Sequence, residues 1–132
     1  SAAIRLPRYQ EGRDKALRLE LRFPDPSANP YLALGVMLAA ALDGIDNGLP
    51  CPEPLNNVNI YHLTPEERTE RGIGSLPASL GEALAELEAD ATLKEALGES
   101  VYAAFMAAKT AETEAFRLTV TDWEVERYLE TA

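Results

Sequence analysis

Between Tyr31 and Leu42 the chain runs twelve residues without a charge, YLALGVMLAAAL. Asn29-Pro30 before it reads as an N-cap followed by proline at the first helical position. The spacing therefore predicts a helix from Tyr31 to about Ile45 that is apolar nearly all round. Such a helix must be covered on most of its surface. A chain of 132 residues is of a size for one compact domain, so the cover has to come from a larger body or from partner subunits. The run is too short to cross a bilayer, which takes about 20 apolar residues.

The flanking sequence predicts an α+β fold, mostly helical, with an N-terminal β-hairpin followed by about five helices. Leu17, Leu19, Leu21 and Phe23 alternate with Arg18, Glu20 and Arg22, the period-2 pattern of a half-buried strand. Ala3 to Leu6 is a weaker strand ended by Pro7, and Arg8 to Ala16 reads as the hairpin connection. Pairing the two strands would bring Arg5 onto the face of Arg18, Glu20 and Arg22. The organisation expected is a hairpin over 1–24, a buried helix over 29–46, a Pro- and Gly-rich excursion over 47–78 and a helical region over 79–130. Long excursions of this kind are usually functional or interfacial, and Thr64 to Arg68 forms a short helical turn within it. Ser79-Leu80-Gly81-Glu82 and Thr121-Asp122-Trp123-Glu124 are capping boxes. Leu80, Ala83, Leu84 and Leu87 form a helical stripe. Asp90 caps a helix ending at Gly98, and Ser100 caps a longer one with Val101, Ala104, Phe105, Ala108 and Phe116 facing the core. Met37 and Met106 read as core fillers, and Trp123 anchors the last helix.

Charge is unevenly spread. The chain carries a net −10, yet residues 1–22 hold six basic and three acidic side chains, a net +3. An acidic body argues against a general nucleic-acid binder, while the basic start suggests a local phosphate or carboxylate site. One Cys and one His exclude a disulfide framework, a CxxC metal site and a multi-histidine site within this chain. Cys51 and His62 read as ordinary loop residues. The start of the sequence has no secretory apolar region, and the protein reads as cytoplasmic.

The Arg18-Glu20-Arg22 row carries the most chemistry. Alternate residues on a strand face lie roughly 6.6 Å apart, and a carboxylate between two guanidiniums stays ionised. It can ligate a hard cation while the arginines hold the phosphate or carboxylate that the cation also touches, a combination phosphoryl transfer needs. The plainer alternative is a surface strand with a salt-bridge row. A single carboxylate is also too few ligands for a divalent site.

The string from Arg18 to Leu32, RLELRFPDPSANPYL, closely resembles the R-x-E-x-R-x-P-D-(P)-x-A-N-P-Y-L signature of bacterial-type (type I) glutamine synthetase. Ser1 to Pro7 is similar to the family's R-S-A-x-x-R-I-P strand without its leading Arg. Leu42-Asp43-Gly44-Ile45, Asn59-Ile60-Tyr61, Pro65-Glu66-Glu67-Arg68 and Trp123-Glu124 follow in the family's order. The resemblance covers the whole chain, 1–132, and corresponds to the C-terminal portion of the catalytic domain.

The resemblance implies a cytoplasmic ligase that phosphorylates the γ-carboxylate of glutamate with ATP and lets ammonia displace the phosphate. By position, Arg5, Lys15 and Arg18 match the ATP- and phosphate-binding residues, Glu20 the metal ligand and Arg22 the glutamate-binding arginine. Lys15 lies in a connection about two residues longer than in some members. The implied cation is Mg2+ or Mn2+ with ATP as co-substrate, and the implied assembly is a homo-oligomeric dodecamer of two hexameric rings. No nucleic acid or membrane partner is implied. Tyr61 resembles a tyrosine that some members adenylylate, but His62-Leu63-Thr64 follows it in place of Asp-Leu-Pro, so a structural loop role is expected. In the family the C-terminal segment reaches a subunit of the facing ring, a role Trp123, Val125, Tyr128 and Leu129 fit. The family's N-terminal domain, other carboxylate ligands, metal-binding His and ammonia-site loop have no counterpart in this sequence. No residue here is assigned a catalytic role, no cation is expected to bind the chain tightly, and the chain alone is expected to be inactive. A γ-glutamyl ligase acting on another amine, or a non-catalytic assembly or regulatory domain of the same fold, are the alternatives.

Overall fold

The computed structural model describes residues 3–56 and 58–130. The chain divides into two compact units, Ser1–Ser75 and Leu76–Ala132.

In the first unit β1 (Ile4–Arg5) pairs antiparallel with β2 (Glu20–Leu21), Ile4 opposite Leu21 and Arg5 opposite Glu20. The Arg22 amide extends the pairing by donating to the Ala3 carbonyl at 2.8 Å. The ladder is shorter than the alternation over 17–23 predicts. Leu17 closes a 3-10 turn at Asp14–Ala16, donating to the Asp14 carbonyl at 3.1 Å, so the strand starts late. The alternation itself reports a face that wants cover. Leu17 and Leu19 are 65% and 63% exposed, so the described residues do not provide that cover.

α1 (Pro30–Asp46) begins where the sequence places it. The Asn29 side chain accepts from the Tyr31 and Leu32 amides, with Pro30 at the first turn. No residue of α1 is buried. Tyr31 is 87% and Ile45 74% exposed. The helix thus stands without the cover its composition demands. After it the chain passes through a 3-10 turn at Ile60–His62 into α2 (Pro65–Glu70), whose capping box is complete: Thr64 accepts from the Glu67 amide and Glu67 accepts from the Thr64 amide.

The second unit holds α3 (Leu80–Ala89), α4 (Ala91–Arg117) and α5 (Asp122–Tyr128). Leu84 on α3 is the one buried residue among those described, and α3 packs on α4. A Cβ at Gly81 would lie 3.8 Å from Thr113 Cγ2, so the later part of α4 runs back past the start of α3. The Ser79 hydroxyl accepts from the Glu82 amide, but Glu82 reaches back to the Ala78 amide rather than closing a box on Ser79. Asp90 caps α4 by accepting from the Leu93 amide at 2.9 Å. At α5 the Thr121–Glu124 box is complete.

Gly98 interrupts α4 with φ 72° and ψ 156°. Residues beyond it are already helical, so the break itself, and not a cap at Ser100, divides the two segments. Beyond the break the covered face differs in part from expectation. Tyr102, Phe105, Met106, Lys109 and Thr113 are half-buried, whereas the expected core residues Val101 and Phe116 are 42% and 76% exposed. Trp123 is exposed and meets the Tyr128 ring edge-on at 5.9 Å. The Gly98 dihedrals lie in a region essentially reserved for glycine, and a non-glycine residue held there costs about 1–3 kcal/mol. Nothing lies within 4 Å of a Cβ built at Gly98, so the cost is conformational rather than steric. Gly98→Ala should therefore lower the free energy of unfolding, measured by urea titration, by that amount, and an unchanged value would show that the break relaxes into continuous helix.

Candidate functional site

The two-residue ladder places Arg5 directly across from Glu20. Arg5 Nη1 donates to Glu20 Oε2 at 2.7 Å. Arg18, two residues before Glu20 in the segment leading into β2, donates from Nη2 to Glu20 Oε1 at 2.8 Å and from Nε at 3.2 Å. Arg18 is itself steadied by Nη1 donating to the Ala16 carbonyl at 3.2 Å. Both carboxylate oxygens are therefore held by guanidiniums. The Glu20 side chain is 26% exposed, against 51% and 56% for Arg5 and Arg18. The Arg5 hydrogen bond, and then that of Arg18, hold the Glu20 carboxyl below its ordinary value of 4.5.

That depression has a defined sign. A carboxylate with a lowered folded pKa stabilises its structure above the unfolded value and loses that contribution as pH falls through the folded one. The Arg5–Glu20–Arg18 cluster should thus stay intact through pH 4.5 and come apart only as pH falls through the lowered folded value. The Glu20 side-chain carboxyl shift, followed by NMR through acid titration, checks this. A midpoint at or above 4.5 would show that the guanidiniums do not engage it in solution.

The other expected residues are arranged differently. Arg22 is exposed and makes no ion pair or side-chain hydrogen bond with another described residue, so it does not join the cluster. Lys15 sits on the 3-10 turn at Asp14–Ala16, exposed. Tyr61, 71% exposed, lies on the 3-10 turn at Ile60–His62. His62 Nε2 is 3.4 Å from Asn59 Nδ2, and Cys51 is exposed.

A divalent cation of the Mg2+ or Mn2+ kind takes about six oxygen ligands. Among the described residues no group of three or more His, Cys, Asp or Glu side chains stands together. Glu20 is the one carboxylate at this place, and two guanidiniums already hold it. The described residues do not by themselves fit such a cation.

The hairpin connection adds residues that the sequence reading passed over. A cavity of about 330 Å3 is walled by Arg5, Arg8, Tyr9, Arg13, Leu17 and Arg18, among others. The excess of basic residues over 1–22 was the signal for it.

Comparison with known proteins shows the family. The family model described as "Glutamine synthetase, catalytic domain" matches residues 1–128. A glutamine synthetase of Methanocaldococcus jannaschii is 50% identical over 129 residues, covering 98% of this chain and 28% of that protein. One from Thermus thermophilus is 50% identical over 131 residues, covering 99% of this chain and 28% of that protein. A solved structure described as apo GmaS without ligand superposes with a TM-score of 0.66 at 35% identity, covering 84% of this chain and 25% of that one. The chain thus spans about 28% of the length of the curated relatives it matches. No described helix is long and apolar enough to cross a membrane. With a match running from residue 1 to residue 128, the chain belongs to the glutamine synthetase catalytic-domain family.

Proposed function

We propose that this chain forms the C-terminal part of the catalytic domain of a glutamine synthetase, an enzyme ligating ammonia to glutamate at the expense of ATP. The observation that carries the reading is the Glu20 carboxylate of β2 held between Arg5 on β1 and Arg18 just before β2. In the reaction the γ-carboxylate oxygen of glutamate attacks the terminal phosphorus of ATP, and the bond to ADP breaks. Ammonia then attacks the acyl carbon, a proton is lost and inorganic phosphate leaves.

In this reading Arg5 and Arg18 use one side of their forks on Glu20 and present the rest to phosphate oxygens. Lys15, on the turn beside them, supplies a further positive charge to the nucleotide. Arg22, unattached to an acid among the described residues, holds the glutamate substrate and the phosphoryl group it gains. Glu20 contributes one ligand to Mg2+ or Mn2+, and the other ligands come from segments outside this chain. The full-length protein acts in the cytoplasm as a homo-oligomer, a dodecamer of two hexameric rings.

The test is Arg18→Ala in the full-length protein. Losing a charge-assisted fork to phosphate should weaken ATP binding by about tenfold or more. Unchanged ATP affinity would favour a non-catalytic assembly role. A panel of amines offered to the same enzyme decides whether ammonia or another amine is the acceptor.

A further inference from the structure

The cavity in the hairpin connection has an imbalance that the Glu20 cluster does not absorb. Four arginines wall it, Arg5, Arg8, Arg13 and Arg18, and no carboxylate does. Arg5 and Arg18 are compensated by Glu20. Arg8 and Arg13 form no ion pair with a described residue. The acid nearest in sequence, Asp14, is engaged elsewhere: Tyr9 Oη donates to its Oδ1 at 2.5 Å. That hydrogen bond also holds the Tyr9 phenol above its ordinary value of 10.0, as expected when the donor proton is bound to a carboxylate. The wall is braced by its backbone, with the Arg13 amide donating to the Gln10 carbonyl at 3.0 Å and the Ala16 amide to the Arg13 carbonyl at 2.8 Å. Two uncompensated guanidiniums thus stand in a shaped recess of about 330 Å3, next to the pair that already faces Glu20.

Guanidiniums brought together without a counterion repel each other, and an anion of two or more oxygens relieves that repulsion with paired hydrogen bonds. The recess is at the small end of the range for ligand pockets, suited to phosphate groups rather than to a whole nucleotide. We propose that Arg8 and Arg13 hold one end of the nucleotide's polyphosphate chain while Arg5 and Arg18 hold the other. Tyr9 acts as a positioning residue that keeps Asp14 from neutralising Arg13. This rests on the nucleotide-dependent ligase reading above. The arginines assigned from family resemblance do not include Arg8 or Arg13, so the proposal adds residues to the site.

The test uses the full-length enzyme carrying Arg8→Ala, Arg13→Ala and both together. The double variant should raise the KM for ATP about tenfold or more, while the KM for glutamate moves less than about twofold. Arg13→Lys should recover part of the loss, since a point charge keeps the attraction without the fork. Tyr9→Phe should raise the ATP KM by freeing Asp14, and the added substitution Asp14→Asn should reverse that rise. A purely structural role for Tyr9 gives no such rescue. Inorganic phosphate, titrated as an inhibitor against ATP, separates the two sources of the anion. Weakening of phosphate inhibition together with weaker ATP binding supports the proposal. Weaker phosphate inhibition with an unmoved KM for ATP overturns it, as does an unmoved KM for ATP alone. Should the double Ala variant fail to assemble, Arg8→Gln and Arg13→Gln keep side-chain length and carry the same readouts. Arg18→Ala in the same assay separates the levels of failure. If it weakens ATP binding and the Arg8 and Arg13 variants do not, only this proposal falls. If none of them affects ATP, the ligase reading falls with it.

Discussion

Purified by itself and supplied with ATP, Mg2+, glutamate and ammonia, the 132-residue chain is expected to form no glutamine above background. The expected deficit against a full-length enzyme is at least about ten-thousandfold, because positioning and charge stabilisation are lost together. The reason is countable in ligands. Glu20 offers one carboxylate to a cation that takes about six oxygens, and the described residues hold no cluster of three metal-ligating side chains. The arginines that remain can attract ATP but cannot set its terminal phosphorus in line with a glutamate oxygen. Glutamine measured by coupled assay or by mass spectrometry decides the matter. Turnover above the no-protein control would mean that the chain, or an assembly of its copies, completes a site by itself.

The second large effect is expected at Glu20 in the full-length protein. Glu20→Gln keeps the side chain's shape and one acceptor oxygen while removing the charge that two guanidiniums hold. The expected fall in kcat/KM for ATP is roughly a hundred- to a thousandfold, the range seen when a fixed electrostatic partner is lost from a reacting centre. Glu114→Gln is the internal control. Glu114 also pairs with an arginine, Arg117, at 2.7 Å, but both side chains are mostly exposed and lie one helical turn apart. Such surface pairs contribute little, so its loss should leave kcat/KM within about twofold. Equal effects at the two positions would remove Glu20 from the site.

The helical part of the fold was largely legible. Asn29, Thr64, Ser79, Asp90 and Thr121 announced their helices because capping is local: the side chain and the amide it accepts from lie two or three residues apart. The break at Gly98 was legible for the same reason, since a left-handed residue is a property of one position. Legibility failed where partners are distant. The 17–23 alternation predicts a half-buried strand, yet ladder length depends on neighbouring strands, and among the described residues the ladder is confined to Ile4 and Arg5 with one further bond from Arg22 to Ala3. Beyond Gly98 the expected inward face was partly right: Phe105 and Met106 are half-buried, while Val101 and Phe116 stay exposed for want of a neighbour among the described residues. At the site, the Arg5–Glu20–Arg18 arrangement followed from strand pairing and alternation. Arg8 and Arg13 were visible as charges, but only the folding of the connection makes them the wall of a recess.

The bare surface of α1 bears on how substitutions in this segment should be judged. Leu34, Leu38, Leu42 and Ile45 touch little here, so a screen that scores folding of this stretch alone would tolerate almost any polar replacement at them, and would even reward it through solubility. A screen scoring growth through the intact enzyme would condemn the same changes. The two maps should diverge most along that single helix, and the positions of sharpest disagreement would trace the footprint of whatever body rests on it.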